Sequence, residues 1–314
     1  MQTYLLQRLV LAIVTLLLVV VMAFLLLRIM PGSAAEMMVT EQGYAEDVEA
    51  MREKLGLNDP VHVQFWGWLS DLSRGSMGES LYSGKPILEE IANKLPVSLR
   101  LGFMMVLIGW MVGIPLGVLA AVRQGTAVDE LSRATAVFFL ALPTFWIATM
   151  FLVFPSIWFG WAPPLRYVPF TDDPIASMKH LFWPAIIGGL PISAAIVRVT
   201  RTLMLEVLRQ DYIRTARAKG LGQWAVLYRH GLRNAAPPLV TMMGLQVTAL
   251  ITGAVILEQI FGIPGIGRYI IQAAVARDYP VVQALLLITA ALLIAANLAV
   301  DLTYGYLDPR IRLR

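Results

Sequence analysis

Six stretches of this chain run for eighteen residues or more without an aspartate, glutamate, lysine or arginine, and they set what it can fold into. They cover 9–27, 101–122, 134–165, 180–197, 234–257 and 279–300, which is 19, 22, 32, 18, 24 and 22 residues. A helix needs about 20 apolar residues to cross the hydrocarbon core of a bilayer. Six such windows predict an all-α polytopic membrane protein with six transmembrane helices. Composition agrees, with 58% hydrophobic and 15% charged side chains, where a soluble domain carries about a quarter charged.

Several chemistries are excluded at once. There is no cysteine, so disulfides, thiol catalysis and thiolate metal sites are out. The three histidines, His62, His180 and His230, form no HxxxH or HxH pair, and no metal site is expected. A phosphate loop needs Gly-Lys followed by Ser or Thr; the only Gly-Lys pair, Gly84-Lys85, is followed by Pro86. No G-x-S-x-G elbow or HExxH helix occurs either, so no catalytic residue is expected. The windows also lack the buried charge that proton-coupled carriers keep inside the bundle. Energy is expected to come from a partner. The first run is longer than most signal-peptide cores, and Arg28 follows it without an A-x-A-like site, which predicts an uncleaved first helix.

Placing the N-terminus inside gives inner segments with 14 of the 25 Lys and Arg residues against six acids, a net +8. The outer segments then hold 11 basic and 15 acidic residues, a net −4, and the two sums return the total of +4. A basic excess on the cytoplasmic side is the usual bias. Both termini are therefore expected in the cytoplasm. The sequence pI near 9.4 follows from this sidedness, and a basic face toward the inner leaflet accounts for it without a nucleic-acid partner.

The expected organisation is a first transmembrane helix over 1–30, a small extracytoplasmic segment over 31–97, a transmembrane core over 98–305 containing a cytoplasmic loop at 198–234, and a cytoplasmic tail at 306–314. The outer segment has helix-compatible pieces at 45–55 and 85–94 and a turn at Gly75-Ser76-Met77-Gly78. Its Trp66 and Trp68 suit the membrane interface. The fourth window is interrupted by Pro184, Gly188, Gly189 and Pro191; it is a candidate lining for a pathway if the helix breaks beside a cavity, while any single proline suits a packing kink equally well. Between Glu258 and Asp278 the glycines and Pro264 argue for a short helix rather than a seventh span.

The segment Arg198–Arg233 carries the most information. Asp211 is placed to cap a short helix and Gly220 to end it. Tyr212, Ile213 and Ala216 form a small apolar stripe, with Arg214, Arg217 and Lys219 around it. A second helix, Gln223–Asn234, would follow. From composition alone the segment suits either a basic loop on anionic lipid or a helix docking in another protein's groove.

Asp211-Tyr212-Ile213-Arg214-Thr215-Ala216-Arg217-Ala218-Lys219-Gly220-Leu221, followed by Arg229-His230-Gly231-Leu232-Arg233-Asn234-Ala235, resembles the EAA loop of ABC importer permeases in its dipeptide/oligopeptide/nickel form. The resemblance covers the whole chain. It includes Arg28-Ile29-Met30-Pro31-Gly32, Leu55–Pro60, Gly75–Ser80, Phe261–Gly267, Arg277-Asp278-Tyr279-Pro280 and Leu307–Arg312. Where the general EAA consensus has glutamate, this chain has Arg214. The resemblance implies a type I importer permease, the first, B-type membrane subunit, in a bacterial inner (cytoplasmic) membrane. It implies a homologous second permease subunit, cytoplasmic ABC ATPase subunits that bind ATP and Mg, and an extracytoplasmic substrate-binding protein as partners. No cofactor is bound by the chain itself. The resemblance further implies that Asp211–Gly220, including Thr215 and Ala218, is the coupling helix, and that translocation proceeds by alternating access.

The resemblance leaves the cargo open among di- and oligopeptides, glutathione, nickel complexes and oligosaccharides, with short peptides favoured. A stand-alone channel or secondary carrier is the alternative from another class. Candidate path-lining residues are Gln246 and Thr248 in the fifth window and Pro191 in the fourth. An uncharged amide costs far less to bury than a charge and still donates and accepts hydrogen bonds. Gln246 serves equally well as a bond between neighbouring helices.

Overall fold

A computed structural model describes residues 2–29, 58–164, 166–247 and 254–307, with side chains over 6–25, 58–164, 166–247 and 254–300. In chain order its helices are α1 (Gln2–Ile29), α2 (Val61–Ser73), α3 (Ile87–Val122), α4 (Ala127–Ala141), α5 (Thr144–Phe159), α6 (Pro174–Leu208) and α7 (Asp211–Ala218). A further helix starts at Gln223–Ala225, widens to π-helix over Val226–Leu232 and continues as α8 (Arg233–Val247). It is followed by α9 (Val255–Ile260), α10 (Ile266–Val275) and α11 (Tyr279–Leu307). Among the described residues the only strand-like pairing is an isolated bridge between Glu79 and Pro86.

The all-helical membrane architecture holds, and among the described residues the count of six crossings is not confirmed. Among the described residues, four helices are long and apolar enough to span: Leu6–Leu25, Ile87–Val122, Pro174–Leu208 and Tyr279–Val300. The third window is a bent pair, α4 and α5, meeting at 95°, which makes five if the pair is one crossing. The bend falls at Leu142-Pro143, where Leu142 is extended, because a residue before proline is pushed out of the helical region. The fifth window contributes α8 and then enters 248–253, outside the described residues. The expected piece at 45–55 also lies outside them, whereas the piece at 85–94 is the first turns of α3.

The fourth window is not broken. Pro184 and Pro191 sit inside a continuous 35-residue α6. Asp173 caps its start by accepting from the backbone N–H groups of Ile175 (2.9 Å) and Ala176 (3.0 Å), with Pro174 in the first turn, where a missing N–H costs nothing. The glycines serve close packing rather than a cavity: Gly188 and Gly189 are buried and lie against Met105 and Ile108 of α3. From the other side, Gly109, Gly113 and Gly117 of α3 meet Ile192, Ile196 and Thr200 of α6. A Cβ at Gly113 would stand 2.7 Å from Ile196 Cγ2, and one at Gly117 2.6 Å from Thr200 Cβ. Small residues every fourth position let two membrane helices approach closely.

The chain divides into two compact units. One takes the described residues of Met1–Val97 and Pro264–Ile294. Its core joins Ile87 and Ile91 to Ile266 and Ala273 of α10 and to Val281, Val282 and Leu285 of α11. Phe24 of α1 meets Phe65 edge-on (5.0 Å) and stacks with Trp68 (6.0 Å) of α2. Trp68 is thus a packing residue, while Trp66 stays 64% exposed. Asp278, buried between α10 and α11, accepts from Ser80 Oγ (2.5 Å) and the Leu81 N–H (3.2 Å) and so pins the loop before α3. Lys94 of α3 pairs with Glu90 and lies 4.7 Å from the Tyr269 ring centroid. Burial first, and then the charges of Glu90 and Asp278, push the Tyr269 hydroxyl up to about 12.

The other unit takes the described residues of Ser98–Ile263 and Ala295–Arg314. Beyond the α3–α6 contact, Ala136 of α4 packs on Ala194 and Val197 of α6. Asp129, 1% exposed in the first turn of α4, accepts from Arg201 Nε (2.5 Å) and Nη2 (2.7 Å) of α6 and from the Gly125 N–H (3.0 Å). A bidentate pair of this kind is short and directional. It clasps the start of α4 to the last turns of α6.

Candidate functional site: the segment from Arg209 to Asn234

α6 leads into α7 through Arg209 and Gln210 alone. Gln210, not Asp211, holds the cap position, in extended conformation and without a side-chain cap bond. Asp211 is the first helical residue, where a negative charge suits the positive end of the helix dipole. Its carboxylate lies 3.5 Å from Arg214, with both side chains exposed. At the other end Gly220 has φ +77°. Leu221 N–H donates to Ala216 C=O (3.3 Å) and Gly220 N–H to Arg217 C=O (2.9 Å), which is a Schellman closure around a left-handed residue. Gly220 therefore ends the helix, as its position in the sequence suggests.

The apolar stripe does not face outward as a unit. Ile213 is fully buried and Ala216 is 6% exposed; both pack on Val226 of the π-helical stretch, with Leu208 beside them. Only Tyr212 of the stripe is exposed. Eight residues are too few for a helix to be stable alone, so the small apolar residues are spent on holding α7 to its own chain. Asp211, Arg214, Thr215 and Ala218 are exposed and, at 100° per residue, make the outward face. Tyr212, Arg217 and Lys219 lie exposed beside it.

The following helix differs from the expected one at Gln223–Asn234, because it runs through to Val247 and carries a π-helical segment. Gly231 in that segment brings the backbone to 3.0 Å between its would-be Cβ and Met204 Cε. Met204, fully buried, joins Val118, Ala121, Leu227 and Ala235 in one core. α3, α6 and the π-helical stretch are thereby packed as one body at this end. Single π turns inside helices recur at functional sites. Pro237 and Pro238 fall inside α8 rather than ahead of it.

Of the candidate path residues, Gln246 is half-buried and its Oε1 accepts from Trp110 Nε1 of α3 at 3.1 Å. Pro191 is half-buried within α6. Thr248 lies outside the described residues. Two polar features escape the sequence reading. One is the Asp129–Arg201 clasp, whose members sit 72 positions apart. The other is Glu258, fully buried at the edge of the fifth window, where Ser98 Oγ donates to its Oε1 at 2.6 Å. An acid flanking a 24-residue charge-free run was the available signal for the second.

An all-helical membrane protein that presents a short helix held by a Schellman turn and an apolar anchor has the makings of a transporter's membrane subunit. The chain belongs to the family of binding-protein-dependent transport system inner membrane components, whose profile matches residues 113–313; the N-terminal component of that family matches residues 1–102. It is 38% identical to a dipeptide transport system permease protein of Alkalihalophilus pseudofirmus, over 99% of this chain and 100% of the relative. It is 37% identical to an oligopeptide transport system permease protein of Bacillus subtilis, over 99% of each chain. A glutathione transport system permease protein of Salmonella paratyphi A is 36% identical, again over 99% of each. Among solved structures it resembles the MetNI methionine ABC transporter in an inward-facing conformation, with a TM-score of 0.57 and 18% identity over 71% of this chain and 98% of that one. An amino acid ABC transporter solved with histidines gives a TM-score of 0.54 at 14% identity, over 70% and 94%. These structures share its fold.

Proposed function

We propose that the chain is one permease subunit of an ATP-driven importer of short peptides. In this reading it forms the translocation path with a homologous second permease. Cytoplasmic ATPase subunits bind ATP and Mg, and an extracytoplasmic binding protein delivers the cargo. Both termini lie in the cytoplasm, and the chain itself hydrolyses nothing. Peptides are favoured over nickel complexes or oligosaccharides because the relatives it matches along their full length are named for dipeptide, oligopeptide and glutathione transport.

The observation that carries the coupling role is the division of labour on α7. Ile213 and Ala216 root it in the chain, leaving Asp211, Arg214, Thr215 and Ala218 exposed on the opposite face. A helix rooted on one side and bare on the other suits transmission of movement from an ATPase groove to α6 and the π-helical stretch. Ala216→Trp is consequently a poor probe of docking, since it would first disrupt the Val226 contact. Thr215→Trp and Arg214→Glu change the outward face alone. The test is co-purification and substrate-stimulated ATPase activity of reconstituted complexes. Both variants should insert normally, bind the ATPase subunits more weakly and lose uptake in proportion. Full ATPase stimulation in both would overturn the coupling role, and a chain that moves substrate without ATPase subunits would establish a channel or carrier instead.

A further inference from the structure

A groove of about 550 Å³ opens beside α7, between the end of α3, the end of α6 with Arg209, and Arg217, Leu221, Gln223, Val226 and Leu227. We infer that it is a binding site for one anionic phospholipid. The inference does not depend on the cargo or on the coupling role.

Placement comes first. The groove is walled by the final turns of two helices long and apolar enough to span a membrane, so it sits where hydrocarbon gives way to headgroups. Its lining comes second. Ala121, Val122, Leu205, Leu208, Val226 and Leu227 make an aliphatic floor, while the guanidinium groups of Arg209 and Arg217 and the amides of Gln124 and Gln223 supply the polar part. Among the described residues no carboxylate lines it. Arg209 Nη2 donates to Gln124 Oε1 at 3.4 Å, and among the described residues neither arginine is ion-paired. An adjoining cavity of about 460 Å³ also has arginines, Arg201 and Arg209. There Arg201 is already committed to Asp129, and Glu206 adds an acid.

The third observation is aromatic. Trp224 and Tyr228, 72% and 50% exposed, stack at 5.6 Å on the same helical stretch that supplies Gln223, Val226 and Leu227. The two rings are outside the groove's lining but on the helix that supplies part of it, and exposed indole and phenol rings are characteristic of a membrane interface. A free phosphate would use the arginines and leave the aliphatic floor empty. An acidic protein segment would meet the outward face of α7, from which Arg217 stands to one side.

The test uses the full chain, purified without ATPase subunits and stripped of lipid. It is offered phosphatidylglycerol or phosphatidylcholine in mixed micelles, with bound lipid read by native mass spectrometry. Phosphatidylglycerol should be retained preferentially. R209Q/R217Q should weaken that preference about thirtyfold, and R209K/R217K should keep most of it. Brominated phosphatidylglycerol should quench wild-type tryptophan fluorescence by an amount that Trp224→Phe removes, a readout that needs no arginine variant to fold. Equal retention of the two lipids overturns the site, as does a preference indifferent to R209Q/R217Q. Displacement of the lipid by inorganic phosphate at comparable concentration would make it a site for small anions. Displacement by the ATPase subunits would make it a protein-docking groove.

Discussion

Gly220 shows how much one residue contributes here. With φ at +77° and open space where a Cβ would go, its role is conformational alone. An L-residue forced into the left-handed region costs about 1 kcal/mol or more. Gly220→Ala should therefore lower the stability of the purified chain by about 1 kcal/mol, and Gly220→Asn by less, since asparagine tolerates this conformation. Thermal unfolding of the two variants beside the parent measures both. Equal losses would mean that packing, not backbone conformation, decides the position. The residue's role was visible from its place after a basic helical run. Ala216 is less legible: a small residue in an amphipathic octapeptide looks the same whether it faces a partner or, as here, Val226.

Among the elements, the contact of α3 with α6 is drawn close by glycine on both helices. Gly109, Gly113 and Gly117 lie one helical turn apart and receive Ile192, Ile196 and Thr200. Gly113→Ala would place a methyl group against both the Ile196 side chain and the Ser193 carbonyl oxygen, 2.9 Å away. Overpacking of this kind costs about 1–3 kcal/mol. Adding Ile196→Ala should restore only part of the loss, because the carbonyl cannot retreat. A double-mutant cycle on thermal stability checks this, and simple additivity would show that the two positions do not meet. The four-residue glycine spacing was in the sequence, yet the prolines and glycines of the fourth window drew attention to a break instead. Helix interruption and helix contact use the same small residues, and only the partner surface separates them.

For the whole molecule, charge arithmetic located the apolar helices and misjudged their ends. α3 begins at Ile87, so Glu89, Glu90, Lys94 and Arg100 share a helix with the second window; a gap between charges marks a stretch that can sit in lipid, not where a helix starts. Nor could it register the 95° turn at Pro143 or the pairing of Asp129 with Arg201, which exist only once the chain has folded. The sidedness it implies is directly testable, because the chain has no cysteine. Ser83→Cys should react with an impermeant maleimide in intact spheroplasts and Gln223→Cys only after lysis; the reverse pattern would invert the topology. α6 also has a mechanical meaning. From the Arg201 clasp it extends about 40 Å back to Pro174 and about 10 Å forward to Leu208, the end joined to α7. A push entering at the short end is therefore shared with α3, whose Gly109, Gly113 and Gly117 are seated on the longer arm, so the two helices respond as a pair.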